Sequence, residues 1–108
     1  MKKTFVILSV VAIAIFLFGT AWAAKEQGGK GEALFKQHCS SCHPDGGNSV
    51  NPQKTLHKKD REANGVKKTS DIVGKMRNPG PGMTKFDENT IPDKDAKQIA
   101  EYVLKTFK

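Results

Sequence analysis

Apolar residues are spread so unevenly along this chain that their distribution limits what it can fold into. Of the first 23 residues 17 are apolar, against 23 of the remaining 85. In those 85, Leu, Ile, Val and Phe number 13, about 15%, which lies below the roughly 20% at which chains drift toward disorder. Eighty-five residues make one small domain at most. A domain of that size with so thin a core needs a staple: disulfides, a metal or a cofactor. Whatever completes the interior is expected to be the working part too.

The apolar first segment reads as an address. Lys2 and Lys3 give it a positive start, Phe5 to Phe18 form an apolar run, and Ala21-Trp22-Ala23 offers the small-x-small pattern of a signal-peptidase site. The expected division is therefore a signal peptide over 1–23 and a mature domain over 24–108. A retained membrane anchor is the alternative, because Thr4 to Ala24 just reaches the ~20 residues a span requires. Two Lys, with no enrichment of Arg or Ser, fit bacterial export rather than a mitochondrial transit peptide, so the periplasm is the expected location. Losing the leader removes two Lys and no acid, leaving 16 basic against 11 acidic residues, a formal +5.

Cys39 and Cys42 are the only cysteines, and with His43 they form C-x-x-C-H, the attachment pattern of c-type haem. Two thiols at that spacing can reach the two vinyl groups of one porphyrin, and the adjacent His is then delivered to the iron. Three other readings fit less well. A thioredoxin-like dithiol needs a βαβ setting, and the chain has almost no β-branched runs. A zinc site needs a fourth ligand, with only His38 and His57 left to supply it. A disulfide across two residues closes too short a loop to add much stability. One motif predicts one covalently held haem c.

A low-spin carrier needs a second axial ligand, and Met paired with His raises the potential. Met83 sits in Asn78-Pro79-Gly80-Pro81-Gly82-Met83-Thr84-Lys85-Phe86, which cannot be regular helix. A loop stiffened by prolines and relieved of bulk by glycines can hold a thioether over a haem face, so Met83 is the expected ligand. Met76 repeats with Ile72 and Val73 at helical spacing and reads as core. His57 lies among Lys58, Lys59 and Arg61 and reads as a solvated side chain. His38 directly precedes Cys39. The residues alone leave Met76, His57 and His38 open as alternatives.

The expected fold is all-α. Ala33, Leu34, Phe35 and His38 line one side of a helix over Lys30 to Cys39, running into the attachment motif. Ser70 is placed to cap a helix ending at Arg77, and a turn or two is expected in Lys58 to Asn64. Pro92 and Asp93 open a last helix striped by Ala96, Ile99, Ala100, Val103 and Phe107, with Asp93 and Asp95 at its positive end and Lys105 and Lys108 at its negative end. Gly31 would let the first helix approach the last closely, with Phe35 against Tyr102. The sum is three to four helices and no sheet, wrapped around the haem.

Four stretches, GEALFKQHCSSCH, GGNSVNPQKTL, DIVGKMRNPGPGM and KQIAEYVLKTF, cover most of Gly31 to Phe107. In them the chain resembles the class I c-type cytochromes, nearest to the small soluble carriers of algal and cyanobacterial photosynthesis. The resemblance implies His43 and Met83 as axial ligands and the Pro52 carbonyl as acceptor for the His43 Nδ1 proton. It also makes Phe35 and Tyr102 the aromatic pair where the terminal helices cross. Thr84 departs from it, standing where relatives usually have Pro after the ligand Met, and Pro79 and Pro81 stand where glycine is common.

Function follows as one-electron carriage between redox proteins by a monomer that breaks no substrate bond. Lys54, Lys58, Lys59, Arg61, Lys67 and Lys68 against Asp60 and Glu62 suggest a face that steers an acidic partner. Nucleic acid is not expected, since no binding motif or stacking aromatics accompany the charge. The alternative is a haem enzyme or sensor, which requires the Met83 position to be open or displaceable.

Overall fold

The computed structural model describes residues 29–108. The predicted signal peptide over 1–23 and its cleavage site lie outside the described residues. The described chain is helical, with no strand: α1 over residues 29–38, a 3-10 turn Pro44–Gly46, α2 Lys58–Ala63, α3 Thr69–Arg77 and α4 Asp93–Thr106.

Helix α4 is the beam on which the rest is laid. Its apolar residues recur at helical spacing, and Ala96, Ile99 and Ala100 are fully buried, with Val103 almost so. Pro92 fixes the entry, Asp93 and Asp95 face the positive end of the helix dipole, and Lys105 stands in the last turn, as expected. Helix α3 packs against it with Ile72 and Met76 buried. Ile91, 1% exposed, plugs the joint where the chain turns into α4. Each of the buried Ile, Val and Met side chains contributes about 1.5–3 kcal/mol by leaving water.

The crossing of α1 and α4 depends on a missing side chain. A Cβ built on Gly31 would lie 2.5 Å from the Gln98 carbonyl oxygen and 3.2 Å from Tyr102 Cβ, so only glycine permits this approach. Beyond it Phe35, Tyr102 and Phe107 form a triangle of rings with centroids 5.3, 5.4 and 5.9 Å apart, Phe35 tilted against both others and Tyr102 edge-on to Phe107. The Phe35–Tyr102 contact expected from the sequence is present. Lys30 pairs with Asp95 at 3.0 Å across the same crossing.

Two expectations need correction. Helix α3 starts at Thr69, so Ser70 lies inside its first turn and caps nothing. Asp71 reaches back instead, accepting from the backbone N–H groups of Lys67 and Lys68 at 3.0 Å each. Those bonds hold its carboxyl below the ordinary range. The second concerns Arg61, grouped above with the surface charges: it is only 5% exposed. Its Nε donates to the Leu56 carbonyl at 2.6 Å and its Nη2 to the Phe107 carbonyl at 3.1 Å, which ties α2 to the end of α4. The sequence shows the charge of Arg61 but not these two distant carbonyls.

Candidate haem site

At the end of α1 the chain winds into a tight local structure. Cys39 N–H and Ser40 N–H both bond the Phe35 carbonyl, and His43 N–H bonds the Cys39 carbonyl at 2.9 Å, so the motif continues the turn of the helix. The 3-10 turn Pro44–Gly46 then folds the backbone over, with Asp45 left-handed at φ 53°. This brings the Gly47 carbonyl to 2.8 Å from His43 Nδ1, which donates to it. The acceptor expected from the resemblance was Pro52, and here the structure differs. The turn returns the chain to the imidazole within four residues, while Pro52 is exposed and lies off the cleft. With its proton on Nδ1, His43 leaves the Nε2 lone pair free for a metal.

The loop after the turn is organised by Asn48, which sequence reading passed over. Its Oδ1 accepts from the N–H groups of Val50 and Asn51, and its Nδ2 donates to the Lys54 carbonyl at 2.9 Å. The Gly-Gly-Asn run was the available signal, since Asn in such a setting builds side-chain turns. On the far side of the sequence, Met83 closes a β-turn with Gly80. Pro81 supplies its fixed φ, Gly82 sits at φ 89°, and Met83 N–H meets the Gly80 carbonyl at 3.4 Å.

These pieces border one cleft of about 360 Å³. Cys39, Cys42, His43 and Met83 all line it, on a floor that includes Phe35, Ile72, Phe86, Ile99 and Val103. Among the described residues the exposed large hydrophobics are Val50 at 60% and Met83 at 36%, and both stand on this cleft. Two apolar side chains left open to water on an apolar hollow are what a flat hydrophobic group would cover. The residues present therefore fit haem.

The alternatives separate by position. Met76 lines the cleft but is 4% exposed and belongs to the packed core. His57 is exposed, off the cleft, and edge-on to Phe107 at 5.8 Å. His38 does line the cleft, edge-on to Phe86 at 6.0 Å. Cys39 and Cys42 are not joined in a disulfide. Burial, with neighbouring Cys42 adding to it, pushes the Cys39 thiol up to about 11, which disfavours the thiolate that dithiol exchange needs. Among the described residues no group of three or more His, Cys, Asp or Glu side chains is placed to hold a metal ion, which leaves the zinc reading without a ligand set.

A second, more open depression is lined by Lys58, Arg61, Glu62, Lys67, Leu104 and Lys108. It adds Lys108 to the basic region read from the sequence. Among the described residues no helix is long and apolar enough to cross a membrane.

Comparison with known proteins agrees with this geometry. The family model for cytochrome c oxidase, cbb3-type, subunit III matches residues 26–103. Cytochrome c6 of Synechocystis sp. (strain PCC 6803) is 42% identical over 91 residues, covering 83% of this chain and 73% of the relative. Among solved structures, OmcF, the outer membrane cytochrome F of Geobacter sulfurreducens, is 51% identical with a TM-score of 0.71, covering 72% of this chain and 99% of that one. Cytochrome c6C of Synechococcus sp. PCC 7002 is 26% identical with a TM-score of 0.67, over 72% of this chain and 94% of that one. The chain belongs to the class I c-type cytochromes, as a small monohaem electron carrier related to cytochrome c6.

Proposed function

We propose that this protein is an exported one-electron carrier. Its haem c is held by thioethers from Cys39 and Cys42, its axial ligands are His43 and Met83, and it works as a monomer between other redox proteins. The observation that carries this reading is that Cys39, Cys42, His43 and Met83, drawn from two distant stretches of sequence, line a single apolar cleft.

The bound haem supplies the ferrous/ferric couple. What the chain supplies is geometry and environment. The Gly47 carbonyl fixes the His43 ring by taking its Nδ1 proton, and so strengthens Nε2 as a donor. Met83, neutral and soft, favours the reduced state. The floor of Phe35, Ile72, Ile99 and Val103 keeps water from the buried side and limits the rearrangement that accompanies a change of charge. Cys42, exposed, leaves an edge of the site toward solvent for brief encounters.

The periplasmic assignment rests on the leader over 1–23. OmcF is named an outer membrane cytochrome, so attachment to an envelope membrane is the competing location if the leader or its junction is retained. An acidic docking partner is supported by exposed Lys54 and Lys75 at the rim of the cleft and by the basic depression on α2.

One spectrum tests the ligation. The ferric protein should be low-spin and show the near-infrared charge-transfer band of methionine bound to iron; Met83→Ala should abolish the band and keep the covalent haem. A high-spin wild-type spectrum would instead support the enzyme or sensor reading. For the partner, the second-order electron-transfer rate with an anionic protein should fall as ionic strength rises. A flat profile removes the steering.

A further inference from the structure

The Met83 segment, residues 78–92, contains no helix, and none of its residues up to position 90 is buried. Between Pro79 and Lys85 the backbone bond that shapes it is the long Gly80–Met83 turn bond at 3.4 Å. That is little to hold a ligand on target. The stronger restraint comes from the end of α3. Met76, in its last turn, accepts the Phe86 N–H at 2.9 Å, and the next residue, Arg77, donates from Nη1 to the Phe86 carbonyl at 3.1 Å. The other arm of the same guanidinium, Nη2, reaches Asp93 Oδ1 at 2.8 Å, on the first residue of α4.

Arg77 thus fastens the far end of the loop to the helix from which the loop departs and to the helix into which it runs. Its side chain is 21% exposed and its bond to the Phe86 carbonyl is partly buried, so that arm competes less with water than the arm to Asp93, which is 73% exposed. The Phe86 ring meets His38 edge-on, next to Cys39, and Val50 lies against Gly82, where a Cβ would come within 2.8 Å of Val50 Cγ1. With Phe86 pinned, Met83 has two residues of slack, Thr84 and Lys85, on one side and a Pro-Gly turn on the other.

We infer that Arg77 is a positioning residue for the sixth ligand: its two-armed bridge from Phe86 to Asp93 holds Met83 over the cleft and so sets how strongly the thioether competes for iron. This inference rests on the proposed Met83 ligation. The planar fork is essential, because a lysine keeps the charge but cannot offer two diverging N–H groups from one plane.

The test uses ferric holoprotein titrated with imidazole, which displaces the thioether, followed by loss of the methionine–iron band. Relative to wild type, Arg77→Ala should lose the band at about tenfold lower imidazole, equivalent to ~1.4 kcal/mol. Arg77→Lys should fall between the two. Asp93→Asn, which keeps the neutral acceptor and the Phe86 bond, should stay within about twofold, as a single neutral hydrogen bond allows. Lys30→Ala breaks an ion pair at the α1–α4 crossing and reports the effect of general loosening; its midpoint should match wild type. The inference is overturned if Arg77→Ala or Arg77→Lys titrates as wild type, or if Lys30→Ala shifts as far as they do. If Arg77→Ala fails to retain haem, Arg77→Lys decides alone. A wild-type protein that lacks the band defeats the Met83 reading itself, whereas a band insensitive to Arg77 defeats only the inference.

Discussion

The α1–α4 crossing and the rim of the cleft are neighbours built by different physics. At the crossing, side chains do the holding: glycine against a carbonyl, three aromatic rings in mutual contact, and alanine and isoleucine with no exposed surface. Around the rim, over residues 47–60 and 77–90, Leu56 and Phe86 pack partly buried against the core, and no residue in either range is buried. There the chain is shaped by backbone bonds, by Asn48 and by Arg77. The difference locates the core deficit seen in the sequence. The crossing has the apolar side chains that the chain possesses, and the rim is drawn around an interior that a cofactor must provide.

The severest way to probe this division is to remove the attachment. A Cys39→Ala/Cys42→Ala protein should be colourless, and its far-ultraviolet circular dichroism should fall toward that of an unfolded chain. Native-like helix in that protein would mean that the crossing suffices alone. Next comes Ile91→Ala, which hollows the packed side without touching the cleft; it should cost about 2–5 kcal/mol in denaturant unfolding and leave the spectrum of the folded holoprotein unchanged. Gly31→Ala forces a methyl group against the Gln98 carbonyl and should cost about 1–3 kcal/mol, again without a spectral shift.

The gentlest probe is acid. Asp60 is held below the ordinary carboxylate range chiefly by the Thr55 hydroxyl, and Asp87 chiefly by the Thr90 N–H; both lie on rim segments. Depressed folded values mean that their stabilisation is fully present above the ordinary Asp value and disappears as pH falls through the folded ones. The holoprotein's melting temperature should therefore be level from pH 7 to 5 and decline below about pH 4. Combining Asp60→Asn with Asp87→Asn should lower the plateau and flatten the decline. An unchanged acid profile in that double variant would show that the rim carboxylates contribute nothing.

How much of this could be read from the residues depended on whether the signal was local. The C-x-x-C-H motif, the stripe on α4, the glycine at the crossing and the Pro-Gly loop around Met83 are short-range patterns, and each has its counterpart in the structure. The misreadings are all questions of partnership. Arg61 looked like one more cation in a basic run because nothing near it in sequence reveals the Phe107 carbonyl, 46 residues away. Pro52 was proposed as the histidine's acceptor by likeness, whereas the 3-10 turn offers Gly47 first. Ser70 had the right chemistry for a cap but stood inside the helix, and Asp71 reached back in its place. Arg77 carried no sequence signal at all, because its role depends on a loop returning to its own point of departure.

The closeness of Gly47 to His43 bears on how the molecule is made. Both thiols, the imidazole and the carbonyl that orients it fall within residues 39–47, with their mutual bonds formed inside that stretch or to the end of α1. On a polypeptide that emerges amino end first, this socket can be complete while more than half of the 108 residues have yet to arrive. Loading could then precede, and guide, the collapse of everything downstream.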